Sequence, residues 1–520
     1  MSAWLVTNYN SCALRQFSNV LPYGPQYRGS GGFKSCDALL NRVEENDDKL
    51  VELVILPMKT FGGAELDRLS NAIASGKNTN LKSISASGHS IPTDALKRFG
   101  SALSQQTKKF DGIAHIAIGS RDMGDEGVVA LCEGLDGSNG GLIQTLDLGW
   151  KEIGIDGACK IGASFAKSKH LSHLDLSRNE KVGCQGISSM CAAAKKSTEG
   201  SCTPFSALKH LNLSECNISA PGIRSLAEYL GQRDMNDEPY KRFELNLSSN
   251  SIGAEGCDSI KVMLFRQSVG SVLSKLKLSQ CSVADVGIAK LSAAAKLCPC
   301  TGLTVLDISD NSITHVGAES LADSLSKCWP DVVELNLSKN NIGSTGVVKL
   351  MKCLRQRSDI SNDHPVISNE TVMVVKSVLQ DVDADSDLNG SLKSLDLTET
   401  NCGIEGACAA LMSGELTSLR LFNNKLGSDG FYSIAPLLQG GHPSIEHLDL
   451  GGNSADEKSV VALLDAIANA GDNENKLSVL EIGGNAFGDE ADAALKRMKK
   501  VWPKLDVACD KPVQREVIEE

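Results

Sequence analysis

Residues 303–311 read LTVLDISDN, and this short stretch decides the fold. Leu306-Asp307-Ile308 alternates apolar and polar, which puts every second side chain on one face and makes a short strand. The same phrase returns as LSHLDLSRN at 171–179, LKHLNLSEC at 208–216, LSKLKLSQC at 273–281, VVELNLSKN at 332–340, LKSLDLTET at 392–400 and IEHLDLGGN at 445–453. A second phrase of the form I-G-x-x-G-a-x-x-L follows it, beginning at Ile153, Ile252, Ile342 and Leu426. Its glycines break the strand, and the next residues restart at helical spacing, as Val128, Leu131 and Leu135 do after Gly127. Each unit is therefore strand, turn, helix.

The second strand leucine falls at Leu53, Ile84, Ile116, Leu146, Leu174, Leu211, Leu245, Leu276, Leu306, Leu335, Leu395, Leu419, Leu448 and Leu480. That is about fourteen repeats, mostly about 28 to 34 residues apart, with one step near double length between Leu335 and Leu395. A single unit cannot bury its apolar face, but stacked units share a continuous core. Strands stack at about 4.8 Å while helices are about 10 Å across, so the stack must curve. The expected architecture is an α/β solenoid, a horseshoe with parallel strands on the concave face and helices on the convex face. It is expected to run over 46–504, after an irregular segment 1–45 and before a polar tail 505–520, with an insertion at about 354–391. Inside the insertion, Val372, Val375 and Leu379 share one side of an expected helix.

The residue three places after the last strand leucine is Asn179, Cys216, Asn250, Cys281, Asn311, Asn340, Thr400, Asn424, Asn453 or Asn485. An inward Asn satisfies turn backbone of its own and the next unit, and a small Cys fills the slot as a compact apolar group. His89, Arg121 and Lys151 take this slot in the early units. These phrases, over roughly residues 50 to 500, resemble the ribonuclease-inhibitor-type leucine-rich repeat family, whose longer repeats carry a full helix and whose slot alternates Asn and Cys. The resemblance implies a leucine-rich repeat solenoid and a protein-binding task, but not which one, since the fold serves many. The repeat type is also similar to that of the Ran GTPase-activating proteins. That alternative makes the chain a regulator of a small GTPase, with Arg121 in a charge-stabilising role, although their long acidic tail has no counterpart here. A sensor-type repeat region is a further alternative, with only about 45 residues ahead of the repeats to hold a switch.

Lys and Arg total 52 against 64 Asp and Glu, a net charge of −12, which disfavours general nucleic-acid binding and suits a protein partner with basic patches. At 41% hydrophobic and 22% charged, wholesale disorder is excluded, while 4% aromatic content means thin aliphatic layers. No apolar run reaches the length of a membrane span, and the first residues lack a secretory apolar core. Residues 1–36 hold Arg15, Arg28 and Lys34 with no acidic residue before Asp37, the composition of an organelle transit segment, though an irregular cap is the plainer reading. The 17 cysteines are odd in number and read as free thiols in a reducing, cytoplasmic setting.

No cofactor is implied. Asp381, Asp383, Asp385 and Asp387 alternate as in a calcium loop, but Ser386 and Leu392 stand where that loop needs Gly and Glu. GSGGFKS at 29–35 fails as a phosphate loop because Phe33 replaces the glycine before Lys34. His115, His173, His210 and His447 share one strand column, with only His173 and His210 adjacent and no third metal ligand, so ordinary concave residues is the plainer reading. The concave face is where a function would sit, with the acidic insertion at about 354–391 as a further expected partner contact. Its column between the strand leucines includes Asp147, Asp175, Lys277, Asp307, Asp396, Arg420, Asp449 and Glu481, with Trp150 and Phe422 as aromatic additions. These form the expected partner-binding set, weighed against Asp and Asn being the repeat's usual filler. Lys277, Arg420, Phe422 and Trp150 depart from that filler and carry more information.

Overall fold

The computed structural model describes residues 34–106, 112–136, 140–198, 205–230, 243–264, 273–295, 302–327, 329–354, 370–380, 391–412, 416–469 and 475–510. Among them, fifteen strands form one parallel sheet in unbroken chain order, from Glu52–Val54 at one edge to Asp506–Ala508 at the other. Every expected leucine position lies opposite its counterpart in the next strand, from Leu53 opposite Ile84 to Leu448 opposite Leu480. The register survives the long step, where Leu335 pairs with Leu395. In His173–Asp175 the central leucine is buried while its neighbours are half-buried, as the alternation requires. Helices return the chain on the other side of the sheet and pack each on the next. This is the curved, one-dimensional stack that the unequal widths of strand and helix impose.

The I-G-x-x-G phrase has two separate causes. Gly343 takes φ +70°, a left-handed turn into the helix Gly343–Leu354 that an L side chain disfavours. Gly346 instead lies close to its surroundings: a Cβ there would stand 2.7 Å from Ile342 Cγ2 and 3.0 Å from the His315 Cα. The isoleucine of the phrase is thus packed under its own helix.

The Asn slot works as a ladder. Asn179 Oδ1 accepts the N–H groups of Lys151 and Ile153 at 2.9 and 3.0 Å. Its Nδ2 donates to the carbonyls of Leu148 and Leu176 at 2.9 and 2.8 Å. The partners are its own unit and the preceding one, not the next one as expected from the sequence. Asn250, Asn311, Asn340, Asn424, Asn453 and Asn485 repeat the arrangement. Cys216 keeps only the donor half, its thiol 3.0 Å from the Leu176 carbonyl.

The early slots differ. His89 and Lys151 are buried in theirs, and His89 Nε2 lies 3.2 Å from the Ile55 carbonyl. Arg121 is not in a slot. The strand His115–Gly119 runs longer there, a short turn Arg121–Met123 follows, and Met123 is buried in place of the arginine.

Two further differences concern the ends. A helix, Asp37–Glu44, lies within the segment expected to be irregular. The strand Asp506–Ala508 pairs with Val479–Glu481 beyond the expected limit at 504, with Val507 opposite Leu480. Leu505 and Val507 alternate with Asp506, but the L-x-x-L-x-L phrase is incomplete here, so the repeat spacing does not announce this strand. The helix in the insertion is Glu370–Gln380, with Val372, Val375 and Leu379 buried as expected. The acidic run 381–387 and the phosphate-loop-like residues 29–33 lie outside the described residues.

Candidate protein-binding face

The strand column after the central leucine forms one continuous row: Asp147, Asp175, Asn212, Asn246, Lys277, Asp307, Asn336, Asp396, Arg420, Asp449 and Glu481 stand side by side. Most of its acids and amides have a local task. Asp147 Oδ1 accepts the Gly149 N–H at 2.9 Å, Asp175 that of Ser177 at 2.8 Å, Asp307 that of Ser309 at 3.1 Å, Asp396 that of Thr398 at 2.9 Å and Asp449 that of Gly451 at 2.8 Å. Asn212, Asn246 and Asn336 do the same. A short side-chain acceptor two residues ahead of an N–H closes the turn that leaves the strand. The frequency of Asp and Asn in this row therefore has a structural cause.

Lys277 and Arg420 have no acceptor and break the row. Both are exposed, and Arg420 sits 3.6 Å from Asp396. Trp150 and Phe422 are 45% and 40% exposed, large apolar surfaces on a chain poor in aromatics. Trp150 has φ +58°, but Arg178, Glu215, Ser249, Gln280, Asp310, Lys339, Glu399 and Asn423 share that left-handed conformation just before their slots. It is a property of the repeat, and what is particular to Trp150 is its side chain.

Two clusters flank the middle of the face. His173 and His210 stack with ring centroids 3.9 Å apart. His210 bonds Glu244 at 2.7 Å, and Lys275 bonds the same carboxylate at 2.8 Å. Burial, helped by the His210 ring, pushes the His173 imidazole down to about 4. Burial alone would raise Glu244, but the bonds from His210 and Lys275 hold it down at about 2. Sequence reading paired the two histidines; it missed Glu244 and Lys275, which precede their strand leucines and share that column. At the far end, an open hollow of about 630 Å³ is lined by Phe422, Asp449, Glu481, Asp506 and Asp510, the last two brought in by the unexpected strand. Among the described residues, no group of three or more His, Cys, Asp or Glu is placed to hold a metal, and no helix is long and apolar enough to cross a membrane.

Asp147 gives a titratable prediction. Burial, with the neighbouring Asp175 carboxylate, lifts it from 3.8 to about 6. A carboxyl raised on folding favours the protonated native state, so its contribution is whole below pH 4 and lost as pH rises through 6. Asn fills the equivalent position in other turns. Asp147→Asn is therefore expected to stabilise the protein by about 1 kcal/mol at pH 7 and by nothing at pH 3.5, read from denaturation midpoints at the two pH values. Equal shifts at both would refute the carboxylate repulsion.

The fold and this strand face define the chain as a leucine-rich repeat protein, built to present one curved row of side chains. Its repeats are similar to those of the ribonuclease inhibitors. The family model described as a leucine-rich repeat matches residues 167–191, 207–227, 244–261, 300–322 and 330–351. The ribonuclease inhibitor of Sus scrofa is 30% identical over 276 residues, 47% of this chain and 56% of its own length. That of Mus musculus is 31% identical over 271 residues, covering 47% and 55%. The chain thus matches little more than half the length of these relatives. A NACHT, LRR and PYD domains-containing protein 14 of Mus musculus is 23% identical over 348 residues, 65% of this chain and 32% of its own. Among solved structures, Rad7 with Elc1 from yeast aligns over 86% of this chain and 89% of that one, with TM-score 0.43 and 17% identity.

Proposed function

We propose that the chain is a non-catalytic scaffold that binds a protein partner on its concave strand face. The observation that carries this reading is the row itself. Where turn-closing Asp or Asn gives way, the replacements Lys277 and Arg420, and the neighbouring Trp150 and Phe422, stand exposed, Arg420 with Asp396 3.6 Å away. The partner is a charged protein surface. Its basic groups meet the hollow of Asp449, Glu481, Asp506 and Asp510, with Phe422 as the aromatic anchor, and its acidic groups meet Lys277. Similarity to ribonuclease inhibitors supports a protein ligand and makes a ribonuclease the first one to try. The free cysteines, of which burial holds Cys132, Cys191, Cys216 and Cys281 at about 12, suit a reducing, cytoplasmic setting.

The GTPase-regulating alternative rests on Arg121, and its guanidinium bonds Glu152 at 2.6 Å, a carboxylate that also holds Lys181. No observation favours that role.

The test is affinity purification with the full chain, then titration of the partner recovered. Phe422→Ala with Lys277→Glu and Arg420→Glu is expected to weaken binding on the order of a hundredfold, with an unchanged melting temperature. Lys349→Glu, on a convex helix, is expected to leave it intact. A partner indifferent to the three concave changes would overturn the assignment of the face.

A further inference from the structure

The hollow at the far end of the strand face has a floor that the repeat does not require. Phe422, Gly451 and Gly483 stand one residue past the last strand leucine or isoleucine, where earlier coils carry Ser177, Ser309 and Thr398. Gly452 and Gly484 follow them in a left-handed step that bears a side chain in other coils, as at Arg178, Gln280 and Asn423. Backbone conformation therefore does not call for glycine at any of these four positions.

Packing accounts for three of them. A Cβ on Gly451 would stand 2.9 Å from Phe422 Cδ2, and one on Gly452 3.1 Å from Phe422 Cε2 and Cζ. The Phe422 ring thus rests on the Gly451–Gly452 backbone and stays 40% exposed. A Cβ on Gly484 would stand 3.1 Å from the Gly452 Cα. On Gly483 the nearest atom would be Asp510 Oδ2 at 3.6 Å, an ordinary contact. A side chain would fit there, and it would stand in the hollow that Gly483 lines. Its absence leaves bare peptide beside an aromatic ring.

Four carboxylates surround this surface. The Gly451 N–H donates to Asp449 Oδ1 at 2.8 Å, the Gly484 N–H to Asp510 Oδ2 at 2.6 Å, and Glu481 Oε1 lies 2.7 Å from His447 Nε2. Among the described residues, the second oxygen of each has no hydrogen bond, and neither has either carboxylate oxygen of Asp506. Burial, with Glu481 adding to it, pushes the Asp449 carboxyl up, against the pull of Arg420 and of His447 when protonated. The hollow keeps an excess of negative charge with acceptors to spare.

We propose that this hollow takes an arginine side chain presented by the protein partner, its guanidinium laid flat over Gly483 beside Phe422 and its N–H groups on the open oxygens of Asp449, Glu481 and Asp506. The inference rests on the concave-face reading and narrows it to one chemical group. A guanidinium is planar and weakly hydrated, so it stacks on aromatic and peptide faces, and its fork of donors matches carboxylates in pairs. A lysine ammonium is a strongly hydrated point charge that gains nothing from a flat floor.

The test titrates N-acetyl-arginine amide into the full chain, against N-acetyl-lysine amide at equal ionic strength, following the Gly483 and Gly484 amides by NMR. The arginine compound is expected to bind on the order of tenfold more tightly. Phe422→Leu is expected to bring the two compounds within about threefold of each other, whereas Asp506→Asn should weaken both. Both side chains are exposed, so the variants should keep the fold. Equal binding of the two compounds, or no response of these amides to either, overturns the proposal. A partner that depends on the concave face with no arginine preference in the hollow sinks this inference alone. Arginine bound in the hollow, with a partner indifferent to the concave changes, upholds the arginine site and sinks the scaffold reading.

Discussion

Gly162→Ala is expected to cost about 3 kcal/mol, lowering the urea midpoint, although alanine is the better helix former by about 1 kcal/mol. Gly162 lies in the helix Ile155–Phe165, packed on Gly183–Thr198. A Cβ there would stand 2.2 Å from the Met190 carbonyl oxygen and 2.9 Å from its carbon. Both are backbone atoms, so no rotamer change relieves the overlap. The helices must separate, and each is held by a further neighbour in the stack. In a one-dimensional array that strain falls on a single interface, so the unfolding transition should also broaden or split. Gly100 and Gly134 make the same kind of approach to the Leu131 and Lys97 carbonyls, at 2.3 and 2.1 Å, and alanine there should behave alike. A raised midpoint for Gly162→Ala would show that the helices are not in backbone contact.

Asn311→Ala is expected to be about as damaging, at roughly 3 kcal/mol. Its Oδ1 accepts from Cys281 and Val283 at 2.9 and 3.1 Å, and its Nδ2 donates to Leu278 and Ser309 at 2.6 and 2.9 Å. The residue is buried, so the abandoned amides and carbonyls find no water. Asn311→Cys, which mimics Cys216 and Cys281, keeps the donor and loses the acceptor, and should fall between wild type and alanine. Chemical denaturation of the three proteins checks the order. An alanine variant within experimental error of wild type would mean that the ladder is dispensable.

Much of this molecule was legible because its core is a period. Leu174, Leu211 and Leu245 must stand opposite one another if each coil is to bury the leucines of the last, so spacing alone yields register. The slot residues Asn179 and Asn250 were legible for the same reason, since a buried turn requires one compact residue with both donor and acceptor. The candidate face was read only in part. Asp307 and Asp396 looked like binding residues, and the hydrogen bonds to Ser309 and Thr398 show that they close turns. Asp506 and Asp510 had no repeat around them to mark them.

By itself the sequence determined the parallel strands, the convex helices, the row that faces inward and the positions where that row departs from turn chemistry. These depend on local periodicity and on short side chains acting on their own backbone. Only the tertiary structure decided that the Asn ladder reaches back to the preceding coil, that Arg121 is bound by Glu152 and that Val507 completes a fifteenth strand among the described residues. Each of these is settled by which atoms arrive beside one another after stacking, and that depends on distances between coils which no repeat spacing encodes.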